Sequence, residues 1–316
     1  MENLLGAWRE FARGKRYKLD VLEFELELMD NLLLLHHDLR NKTYRHGSYQ
    51  HFRLHDPKPR DIHKATVRDR LVHHAIYRQL YWFYHQIFIP DSFSCRLGKG
   101  TLNAINRFRA FAYQVSHNHT RTIWVLKCDI RKFFASIDQR ILLDLLKQRI
   151  PDPDIIWLLE QIIGSFHSTQ VGVGLPLGNV TSQLLVNIYL NELDQFIKRE
   201  LKVKHYLRYA DDFVLLSDNR QWLEKQLPVI DRFLIERLNL TLHPDKISIQ
   251  TITSGVDFLG WVHFPDHRVL RTTTKKRMFR NIRIKKGKRE TVESYLGLLS
   301  HGNSWKLTSR VSQHLL

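Results

Sequence analysis

Apolar residues recur at helical spacing over residues 2–13 and 20–41, which lines them along one face of each segment. In the second segment Asp20 is placed as the N-cap, and Leu22, Leu26, Met29 and Leu33 form the stripe. Residues 49–63 read as an extended hairpin broken by Asp56-Pro57-Lys58-Pro59. Helical spacing returns over 64–88. A turn at Pro90 and the run Arg96-Leu97-Gly98-Lys99-Gly100 then lead into a helix over about 101–116. Ile123 to Cys128 is a short apolar run with β-branched and aromatic members that ends at Asp129, the pattern of a buried strand. Asp138 caps a helix over 138–149, Gly172 to Gly178 is a loop, and 180–201 is a strong helix. His205 to Ser217 is apolar on either side of Asp211-Asp212 and predicts a strand–turn–strand hairpin. A helix over 219–238 and two short strands within 246–264 complete an α+β pattern with an antiparallel sheet at its centre.

Charge narrows the partners. The 316 residues carry 49 Lys plus Arg against 32 Asp plus Glu, a formal +17. That surplus disfavours an ordinary acidic metabolic enzyme and favours a polyanion: nucleic acid first, an anionic membrane surface second. No stretch approaches the 18 or so uninterrupted apolar residues of a membrane span. Met1 to Arg16 carries Glu2, Arg9, Glu10 and Arg13 among its apolar positions and lacks the apolar core of a secretion signal. Cys95 and Cys128 make no disulfide framework, and the 18 histidines have no zinc spacing. The expectation is a cytoplasmic protein with no membrane partner.

The tail stands apart. Arg268 to Arg289 holds 11 Lys/Arg and no acid, with Met278, Phe279, Ile282 and Ile284 interleaved. A charge run is often just a solvated face. The uneven spacing and the interleaved apolar residues favour a surface that tracks a nucleic-acid backbone, with Lys275, Lys276 and Arg277 as its centre.

The candidate chemistry lies in Tyr209-Ala210-Asp211-Asp212 and in Asp129. Asp is common in plain β-turns, so the tetrapeptide alone is weak evidence. Asp129 is a second strand-end carboxylate bordered by buried sequence. Three carboxylates converging from two strands suit two Mg²⁺ ions, which prefer oxygen ligands and gather substrate phosphates; Mn²⁺ is a possible substitute. Two such ions stabilise the attacking and leaving oxygens of an in-line phosphoryl transfer.

Asp129-Ile-Arg-Lys-Phe-Phe-Ala-Ser-Ile-Asp138 resembles motif A of reverse transcriptases, Gly174-Leu-Pro-Leu-Gly-Asn-Val-Thr-Ser-Gln183 resembles motif B, and Tyr209-Ala-Asp-Asp212 motif C. His243-Pro-Asp-Lys246 looks like motif D and Phe258-Leu-Gly-Trp261 like the primer-grip motif E. Lys58-Pro-Arg60, Arg68-Asp-Arg-Leu-Val72 and Ser94-Cys-Arg96 look like the finger motifs. The ordered set runs from about residue 50 to 265. It implies a right-hand polymerase with fingers over 1–120, a palm over 121–265 with a finger return near 140–170, and a small basic helical thumb over 266–316.

The resemblance implies roles. Asp129 and Asp211 would hold the metals with the carbonyl of Ile130, and Asp212 would be an auxiliary carboxylate. Lys58 and Arg60 would hold the triphosphate of the incoming dNTP, as suits an ammonium and a guanidinium fork. Phe134 would be the ribose gate, one of Phe133 and Phe134 being core. Leu177 and Gly178 would border the dNTP, and Lys246 would donate a proton to pyrophosphate. Arg96, Ser182, Gln183, Tyr209, Phe258, Leu259 and Gly260 would lie along primer and template.

Leu177 stands where many reverse transcriptases have Gln, and Ser182-Gln183 where many have Ser-Pro. This form, with Asn187 to Asp194, Asn3-Leu-Leu, Gly14-Lys-Arg16 and Ser294 to Asn303, resembles the enzymes of diversity-generating retroelements; antiviral-defence reverse transcriptases share the style. The expected function is cDNA synthesis from an associated noncoding or template RNA, with a small accessory protein or a homo-oligomer as a further partner. Template-independent or repeat-copying synthesis is the alternative, and an idle RNA-binding scaffold a third reading that the intact Asp129, Asp211 and Asp212 oppose. The 51 residues after 265 hold too few acids for an RNase H or integrase domain.

Overall fold

A computed structural model describes residues 1–55 and 59–313; Lys58, one of the two expected triphosphate ligands, lies outside them. In chain order the helices and strands are α1 (Glu2–Ala12), α2 (Leu19–Leu26), α3 (Leu28–Arg40), β1 (Gln50–Leu54), β2 (Arg60–Lys64), α4 (Val67–Ile87), α5 (Thr101–Val115), β3 (Trp124–Asp129), α6 (Phe133–Ser136), α7 (Gln139–Lys147), α8 (Pro153–Ile163), α9 (Val180–Gln195), β4 (Tyr206–Tyr209), β5 (Asp212–Ser217), α10 (Arg220–Leu238), β6 (Ser248–Thr251), β7 (Val256–Phe258), β8 (Trp261–His263), β9 (Arg268–Leu270), α11 (Thr272–Ile284), α12 (Arg289–Leu299) and α13 (Trp305–Ser312). They form two compact units.

The first unit comprises residues 1–96, 130–202 and 230–242. Thr66 opens α4: its hydroxyl accepts the Asp69 N–H at 3.2 Å and donates to the Asp69 carboxylate at 2.6 Å. This cap fixes the helix start by satisfying an amide that has no partner inside the helix. Asp69 is almost wholly buried and its other bonds come from Tyr44 Oη at 2.7 Å and the Gly47 N–H at 3.1 Å. Burial and this carboxylate push the Tyr44 hydroxyl far up, so it stays a donor. Beside this cluster, His46 Nε2 meets His73 Nε2 at 3.0 Å, and His73 Nδ1 bonds Thr181 Oγ1 on α9. Helix α9 is buried nearly all round, as expected of an element at the centre of a core. Asp138 and Asp152 cap α7 and α8 through their carboxylates.

The sequence reading is corrected at residues 20–41. The segment divides at Glu27, and Asp20 does not cap it: Lys18 is the N-cap, and Asp20 sits in the first turn of α2 facing Lys64 Nζ at 2.7 Å and Arg70. The inward face is Val21, Leu32 and Leu35; the predicted stripe of Leu22, Leu26, Met29 and Leu33 is exposed. Apolar residues occupy both faces of these helices, and periodicity alone does not say which face is covered.

The second unit comprises residues 97–129, 203–229 and 243–316. Its main sheet is antiparallel in the order β4-β5-β3-β6, and a smaller one runs β7-β8-β9. The region 246–264 thus holds three strands where the sequence pattern suggested two, because Gly255 at φ +87° turns the chain between β6 and β7. Met278 and Ile282 of α11 pack with Val292, Leu299 and Val311 of the last two helices and with Trp261 and Leu270. The apolar residues interleaved in the basic tail therefore serve a core of their own, and only Ile284 of those four is exposed. A Cβ at Gly302 would run into the Trp261 ring, so this turn admits only glycine. Among the described residues no helix is long and apolar enough to cross a membrane.

Three histidines, His73 and His263 buried and His74 half-buried, couple this fold to pH. Burial holds His73 down at about 3, and His74 and His263 at about 4. Each therefore stays neutral in the folded chain while the unfolded chain takes up a proton near pH 6.5. Their contribution is complete above about pH 6.5 and is lost as pH falls from there toward 4, at roughly 1.4 kcal/mol per pH unit per proton. Unfolding midpoints between pH 8 and 5 should fall on the acid side. His73→Asn should flatten that slope, and an unchanged slope would show that His73 is not neutral in the fold.

Candidate active site

The site begins with β3, whose apolar side chains Val125, Leu126 and Cys128 are buried. It ends on Asp129, only 6 % exposed. Strand β5 runs antiparallel beside it, and the register sets Asp129 opposite Asp212. Register is tightly specified here because a slip of one residue would turn every buried side chain to the other face. Tyr209 pairs with Asp212 across the β4–β5 hairpin, so Ala210 and Asp211 are its two-residue turn. Ala210 adopts φ +54°, a left-handed conformation that disfavours a residue with a Cβ by roughly 1–2 kcal/mol. The Arg208 guanidinium, buried within the sheet, donates to the Ala210 carbonyl at 3.1 Å and holds that turn. Tyr209 Oη accepts from Thr101 Oγ1 at 3.0 Å.

Electrostatics mark the carboxylates as crowded. Burial, then Asp129 and Asp211, push the Asp212 carboxyl up to about 6, against the opposing pull of Lys127; Asp212 and Asp129 also share a hydrogen bond. Lys127 lies two residues before Asp129 on the same strand face, and its ammonium bonds the Asp257 carbonyl at 2.8 Å. Lys246 Nζ lies 2.6 Å from Asp129 Oδ1, delivered by the turn Pro244–Lys246, while the His243 N–H bonds the Asp129 carbonyl at 2.8 Å. Lys246, the proton donor expected from motif D, is thus an ion-pair partner of Asp129 in the free chain.

Among the described residues no three His, Cys, Asp or Glu side chains stand together closely enough to hold a metal ion by themselves. The donor set still suits Mg²⁺, which is typically held by one or two carboxylates plus substrate phosphates and water. Asp129 and Asp212 would supply that pair, and their mutual repulsion, eased here by Lys246 and Lys127, is what a divalent cation would relieve.

Other expected residues occupy defined places. In the second unit, Leu259 (φ +50°) and Gly260 (φ +87°) form the two-residue turn between Phe258 and Trp261, a left-handed pair typical of a tight hairpin. Phe258 itself is buried, so the turn is the accessible part. Lys276 is exposed on α11, and Lys275 and Arg277 are partly so.

In the first unit, the Leu177 carbonyl accepts the His63 N–H at 3.0 Å. Gly178 follows at φ +115°, where a Cβ would crowd Ile62. Ser182 is buried and Gln183 exposed at the start of α9. Arg60 is exposed on β2, and Ile130 pairs with Leu242 in an isolated bridge. Phe133 is buried and Phe134 only half-buried, its ring 5.7 Å from that of Phe133. Arg96 departs from expectation. Its guanidinium bonds the carbonyls of Ile89 at 2.7 Å, Ser92 at 2.9 Å and His85 at 3.3 Å. A fork so engaged ties the end of α4 to the following turn and is not presented to nucleic acid.

Lys127 and Arg208 were not singled out from sequence. Strand parity with Asp129 could have flagged Lys127; nothing local distinguishes Arg208 from a surface arginine.

An antiparallel sheet bearing a carboxylate pair at a strand end and a third carboxylate at a hairpin turn, with helices before and after it in the chain, is the palm of a right-hand polymerase. The apo telomerase of Candida tropicalis shares the fold, with a TM-score of 0.53 and 11% sequence identity over 69% of this chain and 47% of that one. Residues 55–263 match the family Reverse transcriptase (RNA-dependent DNA polymerase), and the chain belongs to it. Protein YkfC of Escherichia coli (strain K12) is 28% identical over 257 residues, covering 69% of this chain and 65% of that protein. The Group II intron-encoded protein LtrA of Lactococcus lactis subsp. cremoris is 24% identical over 292 residues, covering 70% of this chain and 46% of that protein. The chain therefore spans less than two thirds of the length of these relatives.

Proposed function

We propose that the chain is an RNA-directed DNA polymerase that extends a 3′-hydroxyl with dNMP on an RNA template and releases pyrophosphate. The observation that carries this reading is the facing pair Asp129 and Asp212, with Asp211 in the adjoining turn, in a chain of this family. Asp129, Asp211 and Asp212, with the carbonyl of Ile130, are the residues that would hold two Mg²⁺ ions. When bound, such ions offset charge on the attacking and leaving oxygens. Lys246 would neutralise Asp129 in the free enzyme and serve as proton donor to pyrophosphate. Arg60 would take triphosphate oxygens. Phe134 would exclude a 2′-hydroxyl, and Leu177, lacking a side-chain amide, would leave the nascent base pair less strictly monitored. A noncoding RNA, its cDNA and dNTPs are the partners of this reading. Its setting would be a diversity-generating retroelement, supported by Leu177 and Ser182-Gln183; paired template and variable repeats in the neighbouring genome would test that against antiviral defence.

The assay is a primed RNA with dNTPs, with and without Mg²⁺; no metal-dependent extension would overturn the reading. Alongside it, a salt titration of RNA binding tests the tail. Affinity should fall by roughly 0.7–0.9 log units per log salt for each phosphate contact. Replacing Lys275, Lys276 and Arg277 with Gln should weaken binding and flatten that slope while extension at saturating template persists. An unchanged slope would make this run a solvated face.

A further inference from the structure

Helices α2 and α3 expose an apolar ridge that the polymerase reading does not use. Leu19, Leu22, Leu26, Met29 and Leu33 are each between 44% and 86% exposed. On α2, Leu19, Leu22 and Leu26 follow one another at steps of 3 and 4 residues, and on α3 Met29 and Leu33 at a step of 4, the spacing at which a helix seats its apolar seam against another. The opposite face is already filled by Val21, Leu32 and Leu35, so the ridge is surplus to the internal packing. A contiguous exposed apolar patch marks an interaction site more often than chance exposure.

Charge identifies the occupant. In a chain of net +17, residues 19–40 hold six acids and a single Lys or Arg. Asp20, Glu25 and Asp38 are engaged by Lys64 and Arg70, Arg16, and Arg68 respectively. Glu23, Glu27 and Asp30 are exposed, and none has an ion pair among the described residues. Glu23 and Asp30 each directly follow a ridge residue, at the flanking positions that decide which helix a seam accepts. These acids repel a phosphate backbone and an anionic membrane. They also repel a second copy of the same ridge, whose flanks would carry the same charge. Glu27, at φ −114° and ψ 38°, interrupts the helix within the ridge, so a bound helix meets it in two adjoining stretches.

We propose that this ridge docks another protein through an amphipathic helix whose apolar seam is flanked by Lys or Arg. The probes are two synthetic helical peptides with Leu at the seam positions, one flanked by Lys and the other by Glu, titrated against the full chain at physiological salt. The Lys-flanked peptide should bind at least tenfold more tightly. Leu26→Ser with Met29→Ser, both at exposed positions, should abolish that binding with melting temperature and basal primer extension unchanged. Glu23→Lys with Asp30→Lys should reverse the preference. Equal binding of both peptides, or binding that survives the Ser pair, would overturn the proposal. So would a wild-type dimer in sedimentation that the Ser pair dissolves, since a second copy would then own the ridge. None of these readouts depends on whether the chain polymerises DNA.

Discussion

Asp211→Asn combined with Asp212→Asn is expected to abolish primer extension while the chain stays folded. The two substitutions remove both carboxylates contributed by the hairpin and leave Asp129 alone against Lys246. Several kcal/mol of transition-state stabilisation go with them, on the order of 10³-fold or more in rate. Stability should move the other way. Burial and the neighbouring Asp129 and Asp211 crowd the Asp212 carboxyl, and a neutral amide relieves that repulsion. Without divalent ions, the single variant Asp212→Asn should therefore melt above the wild type. Activity near the wild-type rate in the double variant would overturn the active-site assignment. A lower melting temperature in the single variant would instead show that the carboxylates are held by compensating bonds and not in mutual repulsion. A site that destabilises the fold it sits in is the usual sign of function placed above stability.

The legible parts of this protein are those where a local signal and the tertiary outcome coincide. Val125, Leu126 and Cys128 form a strand because a short apolar run has few ways to be buried, and Asp129 ends it because a carboxylate does not continue such a run. The β4–β5 hairpin was readable for the same reason, and Asp138 announced α7 by the chemistry of its side chain. What failed needed information from distant residues. Asp20 has the right identity for a cap, but Lys64 and Arg70 hold its carboxylate elsewhere. Arg96 sits in a motif, but the carbonyls of His85, Ile89 and Ser92 determine what its guanidinium does. The bonds of Arg208 to the β4–β5 turn and of Lys246 to Asp129 likewise follow from tertiary placement. The Met278 and Ile282 side chains look like part of a nucleic-acid surface in a basic run until the helices that cover them are known.

Phe134→Ala is expected to admit ribonucleotides. The sequence left Phe133 and Phe134 as one core ring and one working ring. Phe133 is buried, whereas Phe134 is half-buried, and the Phe134 carbonyl is fixed by the Leu175 N–H at 2.8 Å. Substituting Phe134 therefore removes ring surface without opening a deep cavity, so the fold should tolerate it. If the ring excludes a 2′-hydroxyl, forcing that group past it costs about 1–3 kcal/mol of overpacking. Removing it should then raise the relative use of rNTPs by roughly ten- to a hundredfold. Competing dNTP and rNTP incorporation by wild type and variant measures this directly, and Phe134→Tyr, which keeps the ring, should leave the preference where it was. Phe133→Ala serves as the contrast, since it empties a core position and should lower the melting temperature without selectively admitting ribonucleotides. If Phe134→Ala leaves the preference unchanged, the gate lies elsewhere and the half-buried Phe134 ring has another role.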